Sequence, residues 1–188
     1  MPTLPVTFGS CSMSRSHDTI FALSSGGLPA GVAVLRVSGS RVPDLLRQVV
    51  GDFPQPREAR LCSIRDRNGL LIDRGLVLYF PAPRSFTGED CLEFHLHGGR
   101  AVVAAMHRLL SEFGLRHAEA GEFSRRALEN GKMDLVEAEG LADLLAAETE
   151  MQRRLAMEQS SGRLSDLYQG WMRQLTRCRA LIGFSRGG

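Results

Sequence analysis

The strand-like segment GVAVLRVSG carries a charge where the chain is otherwise apolar. Alternation puts Val32, Val34 and Arg36 on one face of a strand and their neighbours on the other. A buried guanidinium without an anionic or hydrogen-bonding partner would cost several kcal/mol. Three roles are therefore open for Arg36: one half of an internal ion pair, a side chain that holds a ligand, or an exposed arginine on an edge strand.

A second strand-like segment, CLEFHLHGG, has one apolar face and one polar face. The apolar face holds Leu92, Phe94 and Leu96. The polar face holds Cys91, Glu93, His95 and His97, and it either meets solvent or lines a cleft. The following Gly98-Gly99 allows close backbone approach just before a predicted helix, which favours an anion or a polar ring.

Two other chemistries could use this polar face. A metal ion is the weaker alternative, because ligands from a single strand rarely close a tetrahedron. A nucleophile made from Cys91 and His95 is weaker still, since nothing marks a third group that would orient the base. We predict neither a metal site nor a catalytic residue in this chain.

Lys132 is the only lysine in a sequence that otherwise uses arginine as its basic residue. It lies between two predicted helices, two residues before Asp134, where the helix dipole favours negative charge. A compact ammonium beside a helix N-terminus attracts a carboxylate or a phosphate. The alternative is an exposed lysine without a binding role.

Composition and motifs exclude several function classes. Lys and Arg total 23 against 21 Asp and Glu, and this balance neither demands nor excludes nucleic acid. No GK[ST] or GxGxxG motif occurs, so the chain is not a P-loop GTPase by itself. Four scattered cysteines and no signal peptide favour reduced thiols in the cytoplasm. No apolar run reaches the roughly 18 residues of a membrane span.

The elements that position these residues are mixed up to residue 120. Apolar runs predict strands at 19–23, 32–37, 61–64, 76–80 and 91–96, and helical periodicity predicts helices at 40–50 and 101–113. Asn68-Gly69 and the Pro81/Pro83 pair mark turns. We therefore predict an α+β domain over 18–120, after a leader over 1–17 that we expect to be disordered.

From residue 121 onwards the pattern is wholly helical. A helix at 122–129 ends at Asn130-Gly131, a common left-handed stop, and Asp134 with Glu137 has the spacing of a capping box. The stripe predicted to be buried in the helix after Asp134 consists of Leu135, Ala138, Leu141, Ala142 and Leu145. The apolar seam of a third, long helix consists of Leu164, Leu167, Trp171, Cys178 and Ile182, with no obvious partner helix in the sequence.

Three segments resemble one family, the tRNA-modification GTPases called MnmE or TrmE. They are DTIFALSSGGLPAGVAVLRVSG, DRGLVLYFPAPRSFTGEDCLEFHLHGG and AEAGEFSRRALENGKMDLVEAEGLADLL. The second is similar to the family pattern FPxPxSFTGEDxxExxxHGG. Together the three segments span most of residues 18–147 in the family's order.

The resemblance implies an α+β domain with a mixed sheet, of the folate-binding type found in the glycine-cleavage T-protein group, followed by a helical domain. It implies a homodimer that binds a tetrahydrofolate derivative, either 5-formyl- or 5,10-methylene-tetrahydrofolate. The matched folate-contact positions are Arg36, Glu93 and Lys132. A carboxylate suits the pterin edge, and a cation suits the glutamate tail. We therefore predict that these three side chains converge around one folate.

In full-length members of the family, a GTPase domain is inserted into the helical domain. It uses GTP, potassium and magnesium, and it works with the FAD-dependent protein MnmG (GidA) to form a 5-aminomethyl-type modification of wobble uridine in tRNA. This sequence lacks that domain, so we interpret residues 121–188 as a truncated helical domain and do not expect GTP hydrolysis. A dimerisation module without ligand, or a small metal-dependent enzyme, is the alternative.

Overall fold

The computed structural model describes residues 18–51, 54–160, 170–174 and 176–177, with the side chains of 158–160 excepted. The chain divides into two compact units, and the boundary falls between Glu122 and Phe123. The predicted leader lies outside the described residues. So do Leu164, Leu167, Cys178 and Ile182 of the predicted seam.

The first unit is built on a mixed six-stranded sheet. In chain order its strands are β1 (Ile20–Leu23), β2 (Ala30–Ser38), β3 (Arg60–Arg65), β4 (Leu71–Phe80), β5 (Cys91–Gly98) and β6 (Arg116–His117). Their order across the sheet is β3-β4-β5-β2-β1-β6. Only β1 and β6 pair in parallel, while every other neighbouring pair is antiparallel. The predicted α+β class with a mixed sheet is confirmed.

Two helices cover one face of this sheet: α1 (Val42–Val49) and α2 (Arg100–Glu112). Val42, Leu45, Leu46 and Val49 of α1 are buried, as are Val103, Met106, Leu109 and Leu110 of α2. They join one core with the inward side chains of β2 and β5, which are Leu35, Val37, Leu92, Phe94 and Leu96. Burial of these apolar surfaces is the main stabilising term for the unit.

The strand predictions were correct in place but not in length. The strand predicted at 76–80 begins at Leu71, because Asp73, Arg74 and Gly75 break the apolar pattern and pairing with β3 holds them in the sheet. The two-residue strand β6 was not predicted. The predicted Asn68-Gly69 turn is present between β3 and β4, where the Asp66 side chain accepts the backbone N–H groups of Asn68 and Leu70.

The second unit is helical where it is described. It contains most of α3 (Glu122–Glu129), then α4 (Leu135–Ala146) and α5 (Glu150–Ser160), and α4 packs against α5. Asp134 and Glu137 form the predicted capping box at the start of α4. The helix α5 was not predicted as a separate element.

The predicted buried stripe of α4 is wrong. Leu135 is 61% exposed and Leu145 is 81% exposed. Among the residues of α4 and α5 whose side chains are described, the buried ones are small: Gly140 and Ala156. A stripe of leucines predicts that a helix needs a partner along its length, but contact with α5 alone does not cover the two ends.

Candidate functional site

Arg36 and Glu93 form an ion pair in the middle of the sheet face that lies opposite the helices. They stand directly across from each other on β2 and β5. The Nε and Nη2 atoms of Arg36 both donate to one carboxylate oxygen of Glu93, at 3.0 and 2.8 Å. The Arg36 side chain is 29% exposed and that of Glu93 is 17% exposed. Of the three roles open for Arg36, the internal ion pair is therefore present.

Two rings adjoin this pair. The Nε2 atom of His95 lies 3.2 Å from the second carboxylate oxygen of Glu93. The ring of Phe86 lies against the Arg36 guanidinium, with its centroid 5.2 Å from the central carbon, a cation–π geometry. Charge, imidazole and aromatic ring thus form one cluster, which we call the Arg36–Glu93 site.

Exposed apolar side chains flank the site on the same face of the sheet. Leu76 pairs with His95 on one side, and Leu61 pairs with Leu76 further out. Val32, Leu61 and Leu76 are 55%, 57% and 41% exposed. They line a shallow cavity of about 280 Å³ that His95 also borders. The cavity therefore opens beside the charged pair.

The polar face predicted for β5 is only partly open. Glu93 and His95 are half-buried and His97 is exposed, but Cys91 is 3% exposed. His97 is held through its ring Nδ1 atom and its backbone N–H by the carboxylate of Asp73, both at 2.8 Å. Within the described residues, no group of three or more His, Cys, Asp or Glu side chains is arranged to hold a metal ion.

The contacts with His97 lower the pKa of the Asp73 carboxylate. Burial works against its charged form, but the hydrogen bonds from His97, with a further one from the backbone of Arg74, bring the pKa of Asp73 below its usual value. The pair holds β4 against the end of β5, next to the cavity.

The fold itself requires a glycine at position 98. A Cβ atom at this position would lie 2.3 Å from the carbonyl oxygen of Ala30 in β2. The close approach predicted for Gly98-Gly99 is thus made by the neighbouring strand. Gly99 then begins α2 as its N-cap in an extended conformation, without a side-chain cap.

Lys132 belongs to the second unit and is exposed. Its backbone N–H donates to Ala127 and that of Gly131 donates to Leu128, which is the Schellman pattern at the end of α3. Gly131 has the positive φ of 64° that this motif requires. The structure thus brings Arg36 and Glu93 together and fixes the backbone of Lys132 between a C-cap and the capping box of α4.

Phe86 is a site residue that the sequence analysis did not identify. It is 37% exposed and lies in the connection between β4 and β5, whose sequence is PAPRSFTGED. The only available signal was its position inside the segment that resembles the family pattern.

The same connection is tied to the sheet by Asp90, whose carboxylate accepts from the hydroxyl of Tyr79 at 2.8 Å and from the backbone of Ala82 at 3.0 Å. Burial and this carboxylate together raise the pKa of Tyr79 to about 12. Its phenol therefore remains a hydrogen-bond donor at any ordinary pH.

In the part of the chain that the structure describes, no helix is both long enough and apolar enough to cross a membrane.

Comparison with known proteins identifies the chain's family. The family described as GTP-binding protein TrmE N-terminus matches residues 19–132. The tRNA modification GTPase MnmE of Agrobacterium fabrum is 66% identical over 172 residues, which are 90% of this chain and 39% of that protein. The protein of the same name from Brucella canis is 61% identical over 167 residues, 88% of this chain and 38% of that protein.

The chain spans about two fifths of the length of these relatives. Both the family match and the relatives agree with the resemblance carried by the three sequence segments. The chain belongs to the family of the TrmE N-terminus.

Proposed function

We propose that this chain is the folate-binding, dimerising N-terminal part of a tRNA modification GTPase. Its curated relatives carry that enzyme name. The whole protein would act in the cytoplasm with an MnmG-type partner on the wobble uridine of tRNA. GTP, potassium and magnesium would belong to a GTPase domain, because the present sequence contains no P-loop motif.

The Arg36–Glu93 site is the observation that carries the folate proposal. An ionised carboxylate offers about four acceptor positions, so three hydrogen bonds to Glu93 leave capacity for the edge of a ring. A pterin edge presents paired donors that match a carboxylate, and the glutamate tail presents carboxylates that match a cation. Lys132, exposed and fixed at its backbone, stays a predicted folate contact on the family resemblance.

The exposed apolar residues beside the Arg36–Glu93 site support the proposed dimer. A cavity of about 280 Å³ is at the lower limit of sites that enclose a drug-sized ligand, which run from roughly 300 to 1,000 Å³. A second surface is therefore needed to enclose a folate. Val32, Leu61 and Leu76 offer an apolar rim for it, and a second copy of the chain would supply the same rim in return.

One observation favours a second candidate, a dimerisation module without ligand. Arg36 and Glu93 already satisfy each other, so the charges need no further partner to be stable where they are. This candidate differs from the first in a single property, which is affinity for folate.

Calorimetric titration with 5-formyl-tetrahydrofolate separates the two candidates. The first predicts saturable heat that is lost in Glu93→Ala and reduced in Lys132→Met. Asp44→Ala is the matched control, because it removes the same charge from an exposed pair on α1 and should leave the affinity unchanged. Absence of binding to a dimeric protein at about 1 mM ligand, where an interaction of roughly −4 kcal/mol is still detected, would favour the module without ligand.

A further inference from the structure

A buried network of hydroxyl and thiol groups lies beside the Arg36–Glu93 site, where β2 ends and β5 begins. Ser38 and Thr87 are fully buried and Cys91 is 3% exposed. The Ser38 hydroxyl lies 2.7 Å from that of Thr87 and donates to the carboxylate of Glu89 at 2.6 Å. The Thr87 hydroxyl lies 3.2 Å from the Cys91 sulfur. The Cys91 sulfur also lies 3.5 Å from the Ser38 hydroxyl, so Thr87 and Ser38 together form the centre of the network.

The direction of the hydrogen bonds follows from the number of protons. A hydroxyl has one hydrogen, and that of Ser38 is donated to Glu89. Thr87 is then the donor in its contact with Ser38, and the Cys91 thiol donates either to Thr87 at 3.2 Å or to Ser38 at 3.5 Å. The chain of donors thus runs in one direction and ends on a carboxylate. Removing the Thr87 hydroxyl deprives the Ser38 oxygen of its 2.7 Å donor and the backbone N–H of Glu89 of this acceptor.

This network holds the connection that carries Phe86. Thr87 follows Phe86 directly, so the buried anchor and the half-exposed ring are adjacent in the chain. The backbone N–H of Glu89 also reaches the Thr87 hydroxyl, at 3.3 Å, and the Ser85 hydroxyl donates to the carbonyl of Glu89 at 2.5 Å. Both contacts tighten the turn on either side of Thr87.

We propose that Thr87, with Ser38 and Glu89, is a positioning network that holds the Phe86 ring against the Arg36 guanidinium and thereby sets the affinity of the site for a ring-bearing anion. This inference rests on the proposed folate function for its second half only. The network does not touch the ligand, and its effect on binding passes through Phe86. A network that merely stabilised the fold would leave the ring and the affinity unchanged.

The first test needs no ligand. A fluorinated phenylalanine at position 86 reports the electrostatic surroundings of the ring by ¹⁹F NMR. Its resonance should shift when Arg36→Met removes the cation. Thr87→Val keeps the shape of the side chain but loses the hydroxyl. In a protein that carries Thr87→Val, adding Arg36→Met should no longer shift the ¹⁹F resonance. In a protein that carries Thr87→Ser instead, the shift should return. An unchanged response in Thr87→Val would overturn the proposal.

The second test measures folate affinity in a double-mutant cycle. Thr87→Val should weaken binding about tenfold in the unaltered chain, but by less than about twofold when Phe86→Leu is already present. Equal losses in both backgrounds would show that Thr87 does not act through Phe86. If the unaltered chain binds no folate, the proposed function fails, while the ¹⁹F experiment still decides whether Thr87 positions the ring.

A second variant covers the case in which Thr87→Val does not fold. Glu89→Gln alters the half-buried end of the same network, since an amide can donate to Ser38 and reverse the order of donors. Thermal melts establish that the variant is folded. Loss of the ¹⁹F response in folded Glu89→Gln supports the proposal, and retention of it contradicts the proposal.

Discussion

The ion pair between Arg36 and Glu93 should contribute measurably to stability, although most surface ion pairs do not. Both side chains are largely shielded from water, at 29% and 17% exposed, and the carboxylate receives two donors from the guanidinium. A hydrogen bond to a charged group contributes about 1.5–3 kcal/mol when buried. Because the arginine keeps some contact with water, we expect a coupling free energy of about 1–2 kcal/mol.

The assay is a double-mutant cycle of Arg36→Met and Glu93→Gln, read as the free energy of unfolding in urea. The cycle cancels the loss of the contact between Arg36 and Phe86, which occurs in both arms. Raising the salt concentration should change the coupling free energy little, because ions in solution screen a partly buried pair only weakly.

The chain contains a matched control for this prediction. Arg47 and Asp44 pair on α1 at 2.7 Å, nearly the same distance, but are 61% and 66% exposed. Their coupling should be about 0.3–0.5 kcal/mol and should fall with added salt. If the two cycles yield the same coupling free energy, shielding from water is not what strengthens the Arg36–Glu93 pair.

Three further predictions concern groups near the site and in the core. The phenol of Tyr79 should ionise near pH 12, seen as an absorbance change at 295 nm, and in Asp90→Asn this change should move to lower pH. Because the pKa is raised in the folded protein, the contribution of Tyr79 to the free energy of unfolding is complete below about pH 10 and is lost as the pH rises through 12. Burial and a neighbouring imidazole lower the pKa of His107, so its contribution is complete above about pH 6.5 and lost as the pH falls. The Nε2 atom of His107 has no hydrogen-bond partner in the described part of the chain. In urea unfolding, His107→Phe should therefore be at least as stable as the unaltered chain at pH 7, and its stability should fall less as the pH is lowered. A steeper fall of its stability with acid would contradict this. Gly98→Ala should lower the free energy of unfolding by about 1–3 kcal/mol, because the added Cβ atom would clash with the backbone of Ala30. In the control Gly99→Ala, the added Cβ atom would lie 3.8 Å from its nearest neighbour, and the loss should be less than about 1 kcal/mol. Equal losses would be inconsistent with the clash.

The faces of the strands could be predicted from the sequence because they depend on local alternation. The alternation put Arg36 on one face with Val32 and Val34, and Glu93 on the polar face of its strand, but it did not say which face of β2 meets the core. Their pairing could not be derived in the same way. The two residues are 57 positions apart, and only the register between β2 and β5 brings them opposite each other.

Tertiary contacts also decide which side chains become buried, and a local pattern cannot show this. Cys91 has the alternation of an open polar face, but the connection that carries Thr87 covers it. The leucines at both ends of α4 have the spacing of a buried stripe, yet they are exposed because a spacing does not specify which partner covers it. By contrast, the capping box of Asp134 and the glycine stop at Gly131 were predicted correctly, since both motifs are local.

A crystal structure of the chain grown with 5-formyl-tetrahydrofolate would show whether the Arg36–Glu93 site is where folate binds. We expect density for the pterin ring within hydrogen-bond distance of the Glu93 carboxylate, beside Phe86, with a second copy of the chain closing the open side. Folate density at a place remote from Arg36 and Glu93, in a protein saturated with ligand, would show that these residues do not form the folate site.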